Sequence, residues 1–342
     1  MFDVYATMDQ RMPPAEVASH ARRAEALGYD GLNVPEAVHD GLIMSQIALQ
    51  ATTRLRVATS VLVAFPRSPM AVAHAAWDLQ ALSGGRFELG LGSQVRGNIV
   101  GRYSTPWTPP VPRMRDYLGA LRAIFDSFQN GTPLDFVGEH YQFTRMQPFF
   151  NPGPLDHPPI RLCLGAVGPK MTALAGEAAD GLMTHPSNTS PRYLREVTRP
   201  RLEAGAARSG RSVVPRLMLS TLLATGETEE GVRAAREKQR ELLGFLYSTP
   251  AYWGSLELFG WKDRGERLLA LSREGKWGEM PALVTDEMLD AFVPTAPYGQ
   301  IAEVLRERYA GLCDWITFPM PADPAQDATC REAIAALKES GP

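Results

Sequence analysis

In several short segments of this chain, acids, an imidazole or glycines gather just after an apolar run. The first is Pro35-Glu36-Ala37-Val38-His39-Asp40-Gly41. His39 is a candidate for moving a proton, because an ordinary imidazole titrates near neutrality. Glu36 reads equally as a second acid–base group or as a structural carboxylate. The competing reading is a surface loop in which Asp40 caps the next helix. The second segment, Gly90-Leu91-Gly92-Ser93-Gln94-Val95-Arg96-Gly97-Asn98, has Val95 where a dinucleotide fingerprint needs its third glycine. The glycines, Gly92 among them, instead permit close backbone approach to a flat ligand. The third is Gly165-Ala166-Val167-Gly168-Pro169-Lys170-Met171. Small residues there lead into a helix with proline in its first turn. The free N–H groups and the helix dipole make either an anion site or merely a tight turn. In Thr184-His185-Pro186, His185 is a site residue or a polar loop residue. His20 and His74 fall on helices and read as surface or core. No His/Cys spacing matches a metal site, and no Gly-x-Ser-x-Gly elbow occurs.

These segments need elements to hold them. Strands are expected at residues 2–6, 31–34, 56–64, 86–91, 160–164, 181–184, 217–224 and 315–318. Helical runs lie between them, at 15–27, 42–51, 70–82, 114–128, 169–178, 191–209 and, after the last strand, 324–337. In the run at 114–128, Met114, Tyr117, Leu118, Leu121, Ile124, Phe125 and Phe128 fall at helical spacing. Eight strand–helix units imply an α/β fold, a closed (β/α)8 TIM barrel, whose working end is the set of loops after the strands. Residues 1–342 read as a single domain. The stretch between strands seven and eight exceeds one helix and reads as an inserted helical region at about 245–296, with its aromatics packing the inserted helices. Residues 130–159 read as a long loop with a small hairpin.

The bulk properties exclude some classes. The 44% hydrophobic content suffices for one large core, and a net charge of -3 gives no reason to expect nucleic acid. The longest apolar runs are too short to span a bilayer. Asp3 and Asp9 stand where a secretory leader would be basic, and Cys163, Cys313 and Cys330 are widely spaced and odd in number. A cytoplasmic protein with unpaired thiols, no membrane contact and a homodimeric assembly is expected.

Three stretches carry a family likeness: Thr59-Ser60-Val61, then Phe65-Pro66-Arg67-Ser68-Pro69, then Leu82-Ser83-Gly84-Gly85-Arg86-Phe87. With these the chain resembles the bacterial luciferase-like monooxygenase superfamily, and within it the branch of oxidoreductases dependent on the deazaflavin coenzyme F420. The resemblance implies hydride transfer between F420 and a small organic substrate. It implies a bulge with a non-prolyl cis peptide at Ser60-Val61 that backs the deazaflavin ring. It puts the cofactor phosphate on Ala166, Val167, Gly168 and Pro169, and places Gly92, Asn98 and His185 against the cofactor. His39 and Glu36 become the catalytic candidates. A catalytic Glu of sugar-phosphate-oxidising relatives would fall at Gln94 or Val95, so that activity is not implied. The alternatives are an FMN-dependent, oxygen-using monooxygenase of the same fold and a non-catalytic flavin-binding barrel. The pocket is expected at the C-terminal ends of the strands, touching residues 36–40, 59–62, 90–98 and 165–169.

Overall fold

The apolar runs form short parallel strands buried on both faces, as a barrel wall wrapped in helices requires. The computed structural model describes residues 2–339. The strands are β1 (Asp3–Thr7), β2 (Gly31–Val34), β3 (Arg56–Thr59), β4 (Leu62–Val63), β5 (Phe87–Gly92), a small antiparallel hairpin of β6 (Phe136–Val137) and β7 (Gln142–Phe143), then β8 (Arg161–Ala166), β9 (Gly181–Thr184), β10 (Arg216–Leu219) and β11 (Trp315–Thr317). The helices are α1 (Pro14–Leu27), α2 (Gly41–Ala51), α3 (Pro69–Ser83), α4 (Arg96–Gly101), α5 (Pro110–Asn130), α6 (Pro169–Ala178), α7 (Pro191–Tyr193), α8 (Arg199–Arg208), α9 (Glu229–Tyr247), α10 (Gly254–Phe259), α11 (Lys262–Arg273), α12 (Asp286–Phe292), α13 (Tyr298–Tyr309) and α14 (Asp327–Lys338).

The wall runs β3-β2-β1-β11-β10-β9-β8-β5-β4 and closes because β3 also pairs with β5. With β3 and β4 counted as one interrupted stave, the barrel has eight, all parallel. Its lower interior is ionic. Asp3 bridges Arg56 at 3.0 Å and Arg216 at 2.9 Å, and Glu88 bridges Arg161 at 2.8 Å. Burial pushes the Glu88 carboxyl up, against the pull of these arginines. Above this layer Tyr5 stacks flat on Trp315, with ring centres 4.9 Å apart, among Ala58, Cys163, Met183 and Met218.

The structure corrects several expected boundaries. The third strand, expected over 56–64, breaks at a cis peptide between Ser60 and Val61, so β3 and β4 pair separately with β5. The seventh strand ends at Leu219 rather than 224. The chain leaves the wall there, and Ala224 instead bonds the backbone of Pro294 and Ala296. The helical run at 191–209 holds a π-turn at Leu194–Thr198 just before Pro200, which has no N–H to donate. The inserted helices begin at Glu229, upstream of position 245. They build a core of their own from Leu243, Tyr247, Leu256, Leu268, Met280, Met288 and Phe292. The insertion docks on the barrel through Tyr247 Oη, which donates to the Ser187 carbonyl at 2.8 Å, and Ser255 Oγ, which donates to Asn188 Oδ1 at 2.9 Å.

Cys163, Cys313 and Cys330 are buried and unpaired. Among the described residues no helix is long and apolar enough to cross a membrane, and no cluster of His, Cys, Asp and Glu could hold a metal ion.

Candidate active site

The ends of β5 and β8 and the segments that follow β2, β3, β5, β8 and β9 carry every residue singled out as a site candidate, and these staves adjoin one another. All of those residues therefore stand along one contiguous arc of the C-terminal face. Thr59 locks two of the staves together: its Oγ1 donates to the Gly90 carbonyl at 2.8 Å and accepts the Gly90 N–H at 2.9 Å.

Val61 packs between Gly92 and Gly165 on this arc. A Cβ on Gly92 would stand 2.4 Å from Val61 Cγ2, and one on Gly165 would stand 2.8 Å from Cγ1. Gly92 is thus glycine because a side chain already occupies its space. A Cβ on Gly90 would lie 2.0 Å from the Thr59 carbonyl, so this glycine serves strand packing. At Gly90 and Gly92 the missing side chain thus already serves contact within the protein, whereas a Cβ on Gly97 would meet nothing within 4 Å.

The loop after β2 is tied down by an arginine. Arg67 donates to Glu36 Oε1 at 2.6 Å and Oε2 at 3.0 Å, and to Asp40 Oδ2 at 2.7 Å. Glu36 Oε2 also accepts the Val63 N–H at 2.6 Å, and its side chain is only 4% exposed. This carboxylate is saturated and joins the loop to β4. Asp40 caps α2 by accepting from Leu42 N at 2.9 Å and Ile43 N at 3.2 Å, and Arg67 together with those N–H groups holds its carboxyl below its usual range despite burial. His39 lies between these two anchors, half-buried and without a hydrogen-bond partner among the described residues. Arg67 stood in the Pro66-Arg67-Ser68-Pro69 stretch of the sequence. Nothing local shows that it reaches back across 27 residues to Asp40.

The loop after β5 folds on itself. Gln94 takes a left-handed backbone, φ 56°, and its Oε1 accepts from Val95 N at 3.0 Å and Asn98 Nδ2 at 3.2 Å. The Asn98 amide is therefore partly committed within the loop.

The turn after β8 is rich in free donors. Gly168 caps α6 with no side-chain bond and no acidic residue in the first turn. The N–H groups of Val167, Gly168, Lys170 and Met171 donate to no acceptor among the described residues. A Cβ on Gly168 would meet nothing within 4 Å, so there is room beside this turn. By contrast α2 and α3 open on the capping side chains of Asp40 and Ser68. Residues 167–171 thus form a cradle suited to an anion such as a cofactor phosphate, although Pro169 has no N–H and Ala166 is paired with Thr184 in the wall.

His185 follows β9. Its ring stacks on Tyr252 of the insertion, with centres 4.1 Å apart. Nδ1 lies 2.8 Å from Ser187 Oγ and accepts the Ser187 N–H at 3.3 Å, which leaves the ring hydrogen on Nε2. Burial lowers its pKa to about 4, so the imidazole is a neutral donor near neutral pH.

Two features had no local signal. Asn33 on β2 is 1% exposed, and neither of its amide atoms has a hydrogen-bond partner. A cavity of about 490 Å³ also opens on the C-terminal face, lined among others by Thr7, His20, Thr221, Gln239, Thr317 and Met320. It lies over β1, β10 and β11 rather than beside residues 36–40, 59–62, 90–98 and 165–169. His20, which read as surface or core, is part of its wall. His74 packs on Phe128.

The model of a family described as luciferase-like monooxygenase matches residues 2–314. An uncharacterized protein of Mycobacterium tuberculosis is 43% identical over 305 residues, 88% of this chain and 89% of that protein. Another protein of that organism, named as a putative coenzyme F420-dependent oxidoreductase, is 33% identical over 211 residues, 58% of each chain. The solved coenzyme F420-dependent tetrahydromethanopterin reductase of Methanopyrus kandleri superposes with a TM-score of 0.79 at 18% identity, covering 98% of each chain.

Proposed function

The chain belongs to the luciferase-like monooxygenase family, and on that premise we propose that it is an oxidoreductase moving a hydride between coenzyme F420 and a small organic substrate. The donor-rich turn at 165–171, at the C-terminal mouth of the barrel, carries this reading. The relative named as a putative F420-dependent oxidoreductase supports the deazaflavin over FMN. Bound there, the deazaflavin supplies a carbon that gives or takes a hydride.

The chain's own residues do the rest. The N–H groups of Val167, Gly168, Lys170 and Met171 hold the phosphate, and the α6 dipole adds to their pull. Ser60 and Val61 back the ring, with Val61 fixed against Gly92 and Gly165. Asn98, through the part of its amide not bound to Gln94, and His185, through Nε2, offer polar contacts at the rim. The Arg67 clamp on Glu36 and Asp40 holds the loop that presents His39. His39 exchanges the proton that accompanies the hydride, since its imidazole has no hydrogen-bond partner among the described residues.

The test is a titration of the purified protein with F420, with the deazaflavin chromophore lacking phosphate, and with FMN, read by absorbance and fluorescence. F420 should bind best, and removal of the phosphate should weaken binding at least tenfold. Tighter binding of FMN, or FMN retained through purification, would overturn the deazaflavin assignment.

A further inference from the structure

The C-terminal face divides into two arcs. One, over β2 to β9 through β3, β4, β5 and β8, carries the residues assigned above to the cofactor. The other, over β10, β11 and β1, carries the 490 Å³ cavity. A space of this size accommodates a small organic molecule. It reaches the barrel mouth itself, because Thr7 and Thr317 end the inner faces of β1 and β11.

The lining is apolar with scattered neutral polar groups. Met12, Leu223, Phe318 and Met320 supply carbon surface. Gln239 Nε2 donates to the Leu223 carbonyl at 3.1 Å, which fixes the amide and leaves Oε1 as a buried acceptor with no partner. His20 Nε2 is likewise buried and unpartnered. Desolvation and the neighbouring Arg23 lower the His20 pKa and favour the neutral ring. Thr317 Oγ1 accepts the Thr221 N–H at 2.8 Å, so its own hydrogen is free to donate.

Arg23 is the single Lys or Arg in this lining. Its guanidinium holds Asp327 at 2.6 and 3.0 Å and donates to the Pro321 carbonyl at 2.9 Å. Asp9 adds a negative charge to the same wall. A phosphate or carboxylate entering here would meet no uncompensated cation. A hydroxyl or amide N–H that reached Gln239 Oε1 would satisfy this stranded acceptor, whose burial without a partner is costly.

We propose that this cavity is the substrate chamber and that it takes an uncharged molecule bearing a hydroxyl or amide N–H on a largely apolar frame. The proposal rests on the oxidoreductase reading above and deepens it. The cofactor occupies the arc of five staves, and the substrate enters across the mouth from the arc of three.

Cyclohexanol and cyclohexyl phosphate share a carbon frame and differ in charge, which makes them the probe pair. Saturation-transfer NMR titrations would follow each on the protein with and without F420. Cyclohexanol should bind saturably to both forms, and cyclohexyl phosphate at least tenfold more weakly. Met320→Trp, which fills the chamber, should abolish cyclohexanol binding while F420 affinity stays within twofold. Gln239→Leu, a milder change, should weaken it roughly three- to tenfold. The chamber proposal fails if the phosphate binds as tightly as the alcohol, if the alcohol does not bind, or if neither variant alters its binding. Loss of F420 binding with alcohol binding intact would instead sink the cofactor reading and leave the chamber standing.

Discussion

Replacing Gly168 by aspartate separates binding from folding at the α6 turn. Gly168 has φ -86° and ψ 157°, an extended backbone open to any residue, and its Cβ would enter open space. An aspartate there is a favoured helix cap. It should accept from Lys170 or Met171 N–H, leaving the fold unchanged or stabilised by about 0.5 kcal/mol. The same carboxylate takes up donors intended for phosphate, at about 1.5–3 kcal/mol for a charge-assisted bond. At roughly 5 Å from a phosphate charge in a solvated turn, its repulsion adds about 0.8 kcal/mol. The combined loss of about 2.3–3.8 kcal/mol corresponds to roughly 45- to 500-fold in Kd. Fluorescence titration with F420 measures the affinity, and thermal unfolding of the same samples measures the fold. An unchanged Kd would show that the turn is only structural. A lowered Tm alongside the lost affinity would refute the argument that the site is open space.

Glu36→Gln should cost about 2 kcal/mol in urea unfolding, because it strips half of the Arg67 clamp at a buried position; wild-type stability in this variant would mean the clamp holds nothing. Gly92→Ala pushes a Cβ into Val61 and should destabilise by about 1–3 kcal/mol, with Val61→Ala on the same chain recovering much of the loss. If the two effects simply add, the contact is not what makes position 92 glycine. His185 has a folded pKa of about 4 against 6.5 for the free group. The unfolded chain therefore binds the proton first as pH falls, so stability should drop between pH 6.5 and 4 by up to about 3 kcal/mol and then level off. His185→Gln should flatten that part of the Tm–pH curve, and an identical curve would disprove the assigned cause. His39→Ala should keep F420 affinity within a few-fold and slow reoxidation of bound reduced cofactor by about 10²–10⁴; unaltered reoxidation removes His39 from the proton step.

Much of the architecture was legible in the chain alone. Burial on both faces of a barrel stave demands a short apolar run, and a covering helix demands a 3.6-residue stripe, so local pattern placed the eight staves and most of the helices. Turn chemistry is also local. Gly168-Pro169 opening α6 and Asp40 capping α2 follow from the residues themselves. The break within 56–64 was visible only through the family resemblance of Thr59-Ser60-Val61, since an apolar run by itself looks continuous.

Barrel closure decided the remainder. It sets β1 beside β11, so that Thr7, Thr221 and Thr317 meet around one cavity although they are far apart in sequence. It brings Val61 onto Gly92 and Gly165, so that both glycines serve packing. It lets Arg67 grip Glu36 and Asp40, and lets Tyr252 of the insertion stack on His185. Each of these depends on where distant segments arrive once the last stave pairs with the first. Periodicity, propensity and capping act over a few residues and carry no information about that arrival. The chain's local pattern therefore determined which loops face the working end, and only the closed wall decided which side chains are committed there and where the open space lies.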